Sequence, residues 1–359
     1  MSSICIYPAS FCPPTFGHLH TAKKAADIFG EIQLVCSENP DKHNKWFSPE
    51  ECVEFWKTYD LPESISVLTI KEARKRIKDT SDVLMIRGIR NEDDAEYEKK
   101  VMFYNKEHFG IERYMYFMSS NGFQEISSSK ARKAAQNLEL EKMSHFVSPL
   151  VTSRLLEIAL GVKNIFMVVG KPGSGKSTFL RHICQDQENL HINTDEFSHT
   201  LRPLLKEAFG NTDLVKIALN QKDELKKVIK QPWMELLKNS LREIPENSNV
   251  FIEIPYGLQE DKSMFRFIGG KVIHVGCDDV TNRERIIKRG TPELLPFADA
   301  IPNTQEAWEI AKANKLSFTS INTECSQKET LQKADFFKNW IKNKENQWKT
   351  YSPEWYLDI

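Results

Sequence analysis

Short apolar runs alternate with longer stretches of helical spacing from one end of the chain to the other. Buried strands are roughly four to eight residues long and rich in β-branched and aromatic residues, and the runs match them in both respects. They are residues 4–7, 31–36, 83–87, 114–118, 165–169, 249–254 and 271–275. The stretches predicted as helices are residues 21–29, 94–107, 151–160, 178–184, 196–205 and 280–289. Strands that alternate with helices predict an α/β fold with parallel sheets.

The pattern divides near the middle of the chain. Ser148-Pro149 interrupts it, and a short helix then runs to Gly161, a residue suited to ending a helix. At roughly 100–200 residues per domain, a chain of 359 residues is expected to form two domains. We therefore predict domains at 1–161 and 162–345, followed by a C-terminal tail at 346–359 that holds two Trp and two Tyr.

One glycine-rich segment directly follows the apolar run 165–169. Residues 170–177 read GKPGSGKS and match G-x-x-x-x-G-K-[ST] in full. Glycines let backbone N–H groups surround phosphate oxygens, and a helix N-terminus adds partial positive charge. The segment predicts a P-loop for ATP or a related nucleotide, in which Lys176 reaches the β- and γ-phosphates and Ser177 binds Mg²⁺. A chance glycine turn is the structural alternative.

Other residues of the second half have both a functional and a structural interpretation. Asp195 follows the next strand, where it would orient or deprotonate an acceptor hydroxyl or cap the following helix. Arg285 and Arg289 share a helix face, where they would contact a transferring phosphoryl group or belong to a solvated basic surface. The residues expected to bind nucleotide here are Gly170, Gly173, Ser174, Gly175, Lys176, Ser177, Thr178, Arg285 and Arg289.

The N-terminal half contains a second candidate site. Residues 15–18 (TFGH) follow the first strand, and His18 would open a helix that starts near Leu19. A helix N-terminus and an imidazole together can hold a phosphate and stabilise charge on it. A capping or core-edge histidine is the structural alternative.

Composition argues against several classes of protein. With 49 basic and 50 acidic residues, the net charge of −1 gives no general attraction to nucleic acid or to an anionic membrane. Seven dispersed cysteines, and an N-terminus without a signal-peptide pattern, predict a cytoplasmic protein with reduced thiols. No apolar run approaches the length of a membrane span. His191, His199 and His274 show no metal-ligand spacing, so we predict no zinc site.

Several further motifs of the first half occur in a fixed order. They are YPASFCPPTFGH, ENPDKHNKWFSPEE, IRGIRNEDDAEYE, EISSSKARKAA and HFVSPLVTSRLLEIA. With these motifs, residues 1–160 resemble the phosphopantetheine adenylyltransferases, which are nucleotidyltransferases with an H/T-x-G-H signature. The resemblance implies a Rossmann-like domain that transfers an adenylyl group from ATP to 4′-phosphopantetheine, giving dephospho-CoA and pyrophosphate.

The same resemblance implies roles for the matching residues. His18 would stabilise the α-phosphate in the transition state, and Ser10 would help to hold the reacting phosphate. Lys42 and Arg87 would bind anionic substrate groups, while Arg90 and a serine turn would grip the ATP phosphates. Mg²⁺ would be carried mainly by phosphate oxygens and water. The remaining residues expected in the site are Phe11, Gly17, Gly88, Glu98 (towards the ribose or adenine), Ser127, Ser128 and Ser129.

Two segments depart from the family pattern. The usual Gly-Thr-Phe-Asp-Pro reads Ala-Ser-Phe-Cys-Pro here, so Ser10 keeps the hydroxyl but Cys12 replaces the acid. Residues 66–76 (SVLTIKEARKR) have no clear family match, and they lie where the pantetheine arm would be read. The acceptor could therefore differ while ATP binding is kept.

Residues 165–342 resemble the dephospho-CoA kinases. The resemblance rests on GKPGSGKS, NTDEFSHTL, VFIEIPYGLQE, RERIIKRG and FTSINTE. It implies a P-loop kinase fold that phosphorylates the ribose 3′-hydroxyl of dephospho-CoA with ATP. The family's His-Pro-Leu acceptor segment is not visible, and the nearest match is residues 230–233 (KQPW).

Three hypotheses follow. The leading one is a bifunctional enzyme for the last two steps of coenzyme A synthesis, because the product of the first site is the substrate of the second. One alternative is a fusion for NAD synthesis, with NMN adenylyltransferase before a ribosylnicotinamide kinase, although the ISSS and RGIR segments favour phosphopantetheine. The other is an adenylyltransferase with a regulatory nucleotide-binding domain. Small molecules are the expected partners, and a homo-oligomer is compatible with the commonly hexameric relatives of the first half.

Overall fold

The computed structural model describes residues 4–38, 46–119, 122–254, 263–343, 346, 349–353 and 355–359. The chain forms two compact units, Met1–Val151 and Thr152–Ile359. Lys42, predicted for the first site, lies outside the described residues. Within the described part, none of the helices combines the length and the apolar character needed to cross a bilayer.

The first unit contains a sheet of parallel strands. They are β1 (Ile4–Ala9), β2 (Ile32–Cys36), β3 (Ile65–Thr69), β4 (Val83–Ile89) and β5 (Arg113–Met118). Their order across the sheet is β3-β2-β1-β4-β5, so the chain moves outwards from β1 to β3 and then returns to β4 on the other side of β1. Connections that leave neighbouring strands in opposite directions open a crevice at the carboxyl ends of those strands. The topology thus predicts a site beyond β1 and β4.

Helices join and follow these strands. They are α1 (Phe16–Phe29), α2 (Pro49–Trp56), α3 (Ile70–Arg76), α4 (Glu92–Phe109), α5 (Ser128–Gln136) and α6 (Leu140–Ser144), and α7 (Pro149–Leu160) begins in the first unit and continues into the second. Reciprocal capping boxes fix several of the starts, as in the pairs Ser48–Glu51 and Thr69–Glu72. Because Thr15 caps α1, this helix begins at Phe16, earlier than the hydrophobic pattern predicts. His18 consequently lies inside the first turn.

Side chains alternate between the two faces of the first sheet. Ile6, Val35 and Met85 belong to an apolar cluster on one face. Leu34 and Ile86 point to the other face and are fully buried. Both faces are therefore covered, as a parallel sheet requires, and polar side chains concentrate at its edge.

The second unit contains a second parallel sheet. Its strands are β6 (Asn164–Val169), β7 (Asn189–Asn193), β8 (Asn249–Glu253), β9 (Lys271–Gly276), β10 (Ser317–Asn322) and β11 (Tyr356–Asp358). The order is β11-β10-β9-β6-β8-β7. All residues of β6 are buried, which explains why this strand reads as an unbroken apolar run. The glycine-rich segment leaves the sheet from this inner strand, between β8 and β9.

The helices of the second unit flank that sheet. They are α8 (Lys176–Ile183), α9 (Phe197–Phe209), α10 (Leu214–Asn220), α11 (Lys222–Arg242), α12 (Ser263–Ile268), α13 (Asp279–Lys288), α14 (Leu295–Ala300), α15 (Thr304–Ala313) and α16 (Gln327–Lys342). Phe166, Phe179 and Phe337 bring β6, α8 and α16 together in one aromatic cluster. The start of α8 is therefore anchored to the core of its unit.

Two parallel sheets confirm the predicted α/β class. Four strands lie outside the apolar runs: β7 precedes Asp195 and β10 lies in FTSINTE, where strands were expected, whereas no strand was predicted at β3 or β11. β3 lies in the segment 66–76 that has no family match, and β11 lies in the predicted tail. β11 is only three residues long and is held by pairing with β10. A strand of three residues is too short to show a hydrophobic period, so it can be identified only from its pairing in the sheet. The described tail residues belong to the second unit.

Candidate active sites

A cavity of about 1480 Å³ opens at the carboxyl ends of β1 and β4, where the strand order predicts a crevice. Segments that are far apart along the chain meet there. The sequence-predicted residues that line it are Ser10, Phe11, Gly17, His18, Arg87, Gly88, Arg90, Glu98, Ser127, Ser128 and Ser129. We call it the first-unit cavity.

The ring of His18 is oriented by the residue that caps its helix. The Thr15 backbone N–H donates to His18 Nδ1 over 3.1 Å, and the Thr15 hydroxyl lies 3.0 Å from the same nitrogen. Because Nδ1 accepts the backbone N–H, the neutral ring carries its proton on Nε2. His18 thus has the capping role of the structural alternative and lines the cavity as well. An Nε2–H at a helix N-terminus is a suitable donor to a phosphate oxygen.

Aromatic side chains support His18 from behind. Phe11 is 1% exposed and meets the His18 ring edge-on, with centroids 5.1 Å apart. It also contacts Trp56 and Tyr7, at 5.1 and 5.4 Å. Burial raises the pKa of Tyr7 to about 12, against the opposing charge of Arg87, so this hydroxyl stays protonated. Phe11 therefore acts mainly as a wall that limits the orientations of the imidazole.

Arg87 has its donors engaged within the unit. Nε and Nη2 donate to the two carboxylate oxygens of Glu98, each over 2.6 Å, and Nη1 donates to Pro8 O over 2.5 Å. The two side chains are 15% and 8% exposed. The bidentate pair joins α4 to Arg87 on β4, and the bond from Arg87 to Pro8 O continues the connection to the end of β1. Glu98, for which the resemblance implies a nucleotide contact, uses both oxygens on Arg87.

Arg90 forms a second pair with the same helix. Its Nε and Nη2 donate to Asp94 over 2.7 and 2.9 Å, and its backbone N–H donates to the same carboxylate over 3.0 Å. Burial alone would raise the pKa of Asp94, but the hydrogen bonds and charge of Arg90 outweigh it and lower that pKa. Arg90 is more exposed than Arg87, at 36%. It is therefore the cation of the two that is better placed to exchange its partner for a phosphate.

The serine turn forms the start of α5. The Ser127 side chain caps the helix by accepting from Lys130 N over 3.2 Å. The Ser128 hydroxyl donates to Pro13 O over 2.8 Å, in the loop after β1. The serines thus attach α5 to that loop and present a second helix N-terminus to the cavity.

Arg132, which the sequence reasoning did not single out, supports the site by joining α5 to the loop after β1. It donates to Cys12 O and, over 3.2 Å, to Ser129 Oγ. Its spacing of three residues from Ser129 on a helix was the available signal. At Gly17, an added Cβ would lie 3.3 Å from Ile126 O, so the starts of α1 and α5 approach closely. Two helix N-termini therefore converge on one cavity.

The cavity continues as a groove along α4. Residues of this helix at spacings of three and four form one wall, and at about 1.5 Å per residue the wall spans roughly 22 Å. They are Asp94, Tyr97, Glu98, Val101, Tyr104, Asn105 and Phe109. The facing wall comes from β3 and α3, that is, from the segment 66–76. These residues are Thr69, Ile70, Lys71, Ala73 and Arg74. The structure therefore places the unmatched segment along an elongated groove.

The second site begins where β6 ends. A loop of residues 170–175, here called the glycine loop, leads directly into α8 at Lys176. The order of strand, loop and helix is the one that the motif requires. Gly173 and Gly175 have φ of 76° and 95°, a region that glycine enters without steric cost.

Lys176 lies under the glycine loop. Its Nζ donates to Gly170 O over 2.9 Å and to Lys171 O over 3.1 Å. The side chain is 4% exposed. Burial lowers the pKa of Lys176 to about 8, although the carboxylates of Glu253 and Asp195 oppose this. A cation held on carbonyl oxygens in this way is positioned to transfer to phosphate oxygens.

Two carboxylates lie on the β7–β8 side of Lys176. Burial, and then the charge of Glu253, raise the pKa of Asp195. Burial would also raise the pKa of Glu253, but His191 and Lys176 outweigh it and lower that pKa. The Nε2 of His191 lies 3.2 Å from a Glu253 oxygen, and Lys176 Nζ lies 3.9 Å from the other. The sequence reasoning did not single out Glu253 or His191; the polar end of the strand 249–254 was the available signal.

The capping interpretation of Asp195 is wrong. Asn193 is the cap of the short 3-10 helix Thr194–Glu196, and its side chain accepts from Asp195 N over 3.2 Å. Asp195 therefore lies after the cap, in the first turn. Its carboxylate is not needed to satisfy the helix start and interacts with the charges around Lys176.

A smaller pocket of about 340 Å³ lies on the other side of the glycine loop, towards β9 and β10. Arg285 and Arg289 of the α13 region line it together, as their shared helix face predicts. The remaining predicted residues that line it are Gly173, Ser174, Gly175, Lys176, Ser177 and Thr178. Carboxylates and guanidinium groups thus flank the loop on opposite sides.

Comparison with known proteins covers the first unit in detail. Residues 6–134 match the cytidylyltransferase-like family model. A phosphopantetheine adenylyltransferase of Caldanaerobacter subterraneus is 31% identical over 160 residues, which are 43% of this chain and 96% of the relative. The chain belongs to the phosphopantetheine adenylyltransferase family. A second relative of that name, from Lactobacillus helveticus, is 35% identical over 109 residues, which span 29% of this chain and only 65% of the relative's length.

Membership of the phosphopantetheine adenylyltransferase family applies to the first unit, where the family model matches. One solved structure, NadR in complex with NR, aligns with 96% of this chain and 98% of its own length. Its identity is 13% and its TM-score is 0.31. A likeness of that degree carries no argument about the second unit.

Proposed function

We propose that the first unit transfers an adenylyl group from ATP to 4′-phosphopantetheine, releasing pyrophosphate and forming dephospho-CoA. The observation that carries this proposal is the convergence of two helix N-termini, an Nε2–H imidazole and Arg90 on the first-unit cavity of an adenylyltransferase-family fold. All of these are donors to anionic oxygen, and the proposed reaction needs no nucleophile from the protein. The acceptor's own phosphate attacks the α-phosphate of ATP.

In this proposal the chain's residues position charges and do not form a covalent intermediate. His18 donates from Nε2 to an α-phosphate oxygen as negative charge grows there in the transition state. Arg90 and the start of α5 hold the phosphates that leave as pyrophosphate. Holding both substrates in line converts a bimolecular step into one within a single complex. Mg²⁺ bound to the phosphates would neutralise their charge.

The groove along α4 supports an elongated acceptor. It runs from the Arg87–Glu98 pair past Tyr97 and Val101 to Asn105 and Phe109, so it offers apolar, amide and hydroxyl groups, and basic side chains also line it (Lys71, Arg74 and Lys100). A phosphate with a long, largely apolar arm that carries amides matches this lining better than a compact ribonucleotide. This comparison favours 4′-phosphopantetheine over NMN.

The test is a product assay on the full chain with ATP, Mg²⁺ and either 4′-phosphopantetheine or NMN. We expect pyrophosphate and dephospho-CoA with the first acceptor, identified by mass spectrometry. If pyrophosphate appeared only with NMN, the acceptor assignment would be wrong. If it appeared with neither, the adenylyl transfer itself would be rejected.

We further propose that the second unit is an ATP-dependent kinase that phosphorylates the 3′-hydroxyl of dephospho-CoA. The strand–loop–helix geometry, Lys176 under the glycine loop and the carboxylates beside it support this proposal. Asp195, with its raised pKa, suits a base for a hydroxyl. Ser177, Asp195 and Glu253 offer the hard oxygen donors that Mg²⁺ prefers, so these residues fit the ion. A P-loop in this position would bind the transferred phosphate between the carboxylates of Asp195 and Glu253 and the guanidinium groups of Arg285 and Arg289.

Dephospho-CoA supplied directly, with ATP labelled in its γ-phosphate, tests the kinase apart from the first step. We expect label in CoA and none in recovered dephospho-CoA. In a parallel reaction with ribosylnicotinamide as the acceptor, label on that compound and none on CoA in the first reaction would favour the NAD alternative. ATP binding at the glycine loop without transfer to either acceptor would support a regulatory domain.

A further inference from the structure

Side chains outside the glycine loop hold two of its carbonyl groups. Asn282 Nδ2 donates to Pro172 O over 2.6 Å, and the Thr323 hydroxyl lies 2.6 Å from Ser174 O. Asn282 belongs to α13, and Thr323 follows β10. Both side chains are 1% exposed. Neither residue belongs to the glycine-rich motif.

The neighbours of the Thr323 hydroxyl restrict the direction of its proton. Arg285 donates to Thr323 Oγ1 over 3.1 Å and to Thr323 O over 2.6 Å. Because a guanidinium only donates, the hydroxyl must accept from it and direct its own proton to a carbonyl. Ser174 O is nearer than Gly276 O, at 2.6 against 3.2 Å. Arg285 therefore polarises the group that holds the loop.

Holding a carbonyl also fixes the amide that shares its peptide plane. In a trans peptide the C=O and the next N–H point in opposite directions. With Pro172 O drawn to Asn282, the Gly173 N–H must point away from α13. With Ser174 O drawn to Thr323, the Gly175 N–H must point away from Thr323. The two contacts thus set the directions of two amides.

The glycines pack against the same two residues. A Cβ at Gly173 would lie 3.0 Å from Ile286 Cγ1 and 3.4 Å from Asn282 Nδ2, and one at Gly175 would lie 3.3 Å from Thr323 Cγ2. The loop therefore rests directly on α13 and on Thr323. Among the residues that the structure describes, the buried Ser174 Oγ has no hydrogen-bond partner, although Ser174 lines the pocket. A buried hydroxyl in a pocket wall is available to donate to, or accept from, a bound ligand.

We propose that Asn282 and Thr323 are positioning residues that direct the amides of Gly173 and Gly175 towards the phosphates of a nucleotide. The proposal rests on the proposed nucleotide binding by the second unit, and it adds which side chains fix the orientation of the glycine loop. Thr323 also contacts Arg285, so the same residue supports both the glycine loop and a neighbouring cation.

Thr323→Val is the direct test, because it keeps the shape and removes the hydroxyl. MgATP is titrated into the full chain, and peptide-resolved hydrogen exchange reports binding at the glycine loop and at α1 separately. We expect the apparent Kd at the glycine loop to rise about tenfold, the order of one lost hydrogen bond, with α1 unchanged. Thr323→Ser should restore it. Thr319→Val, at a buried threonine within β10, serves as the matched control.

The kinetic readout separates positioning from general damage. In the dephospho-CoA assay, Thr323→Val should raise KM for ATP about tenfold and leave kcat within about threefold, since the contact acts on binding in ground and transition state alike. Asn282→Leu removes the other contact independently, so a variant that fails to fold does not end the test. Wild-type and Thr323→Val chains with equal Kd would overturn the proposal. A wild-type glycine loop that MgATP never protects would instead reject nucleotide binding by the second unit altogether.

Discussion

Each unit has its candidate site at the carboxyl ends of its parallel strands, but the shortest buried ion pair lies in the site only in the first unit. In the first unit the Arg87–Glu98 pair lines the cavity itself. In the second unit the fully buried pair Lys271–Glu157 lies where β9 begins, at the far end from the glycine loop. The first site thus contains a bidentate pair with atoms 2.6 Å apart, whereas Lys176 and Glu253 in the second site lie 3.9 Å apart and the glycine loop is held by Asn282 and Thr323.

The distant pair of the second unit has a structural task. Lys271 Nζ donates to Glu157 over 2.7 Å and to Asn164 Oδ1 over 2.8 Å, and Tyr351 donates to the other Glu157 oxygen. Burial lowers the pKa of Lys271, although Glu157 opposes this. Tyr351 comes from the C-terminal segment whose strand β11 pairs with β10. The pair therefore joins that segment and α7 to the sheet without touching the site.

The largest expected effect tests whether the two sites are independent. His18→Ala should slow pyrophosphate release by roughly 10²–10³-fold, the usual cost of losing one transition-state donor, and leave phosphorylation of supplied dephospho-CoA intact. Lys176→Ala should do the reverse. His20→Ala is a control on the same helix, since that ring stacks on Phe123. Loss of both activities in either variant would contradict the comparison.

Lys271→Met should destabilise the second unit by about 4 kcal/mol, because it leaves Glu157 buried without its partner. Hydrogen exchange resolved by peptide measures this in the full chain. Lys163→Met, which breaks an exposed pair with Glu188, should cost less than about 1 kcal/mol. Below the unfolding temperature, KM for ATP at the second site should not change. A raised KM in the folded variant would show that the distant pair acts on the site after all.

Glu98→Ala should affect stability and activity together. Removing the partner of Arg87 should cost the first unit about 3 kcal/mol, and adenylyl transfer should fall because α4 loses its brace at the cavity. Urea unfolding and pyrophosphate release measure the two effects. Glu96→Ala, which breaks only an exposed pair with Lys99, is the matched control. Full activity in a destabilised Glu98→Ala chain would show that the pair is structural only.

The smallest effect concerns protonation of Lys176. Its pKa is lowered to about 8 by burial, so it is partly neutral near that pH. Bound phosphates favour the charged form and raise the pKa, so nucleotide binding should take up about half a proton at pH 8 and almost none at pH 6. Calorimetry in buffers of different ionisation enthalpy measures the uptake, with Lys176→Met subtracting the contribution of the first site. Equal proton uptake by the wild-type chain and the Lys176→Met variant at pH 8 would mean that Lys176 is fully charged before the nucleotide binds.

Much of the fold follows from local pattern. Buried parallel strands leave unbroken apolar runs such as β6, and capping residues such as Ser48 mark helix starts, because both are satisfied within a few residues. β3 and β11 were not predicted, since their stability comes from the strands beside them. The positions of Arg87 and His18 at the edge of the sheet were predicted from motifs, but their partners were not. Glu98 and Thr15 become partners only through the geometry of α4 and α1.

The amino-acid sequence by itself determined the α/β class, the glycine loop, and the family of the first unit, because each depends on residues close together along the chain. Only the tertiary structure decided what those residues do to one another. In the folded chain Arg87 donates to Glu98, and Asn193, not Asp195, caps the short 3-10 helix. Asn282 and Thr323 contact the carbonyl groups of the glycine loop. The physical reason is the same in each case. Hydrogen bonds and charges act over a few ångströms in space, and which groups come that close depends on how distant segments pack.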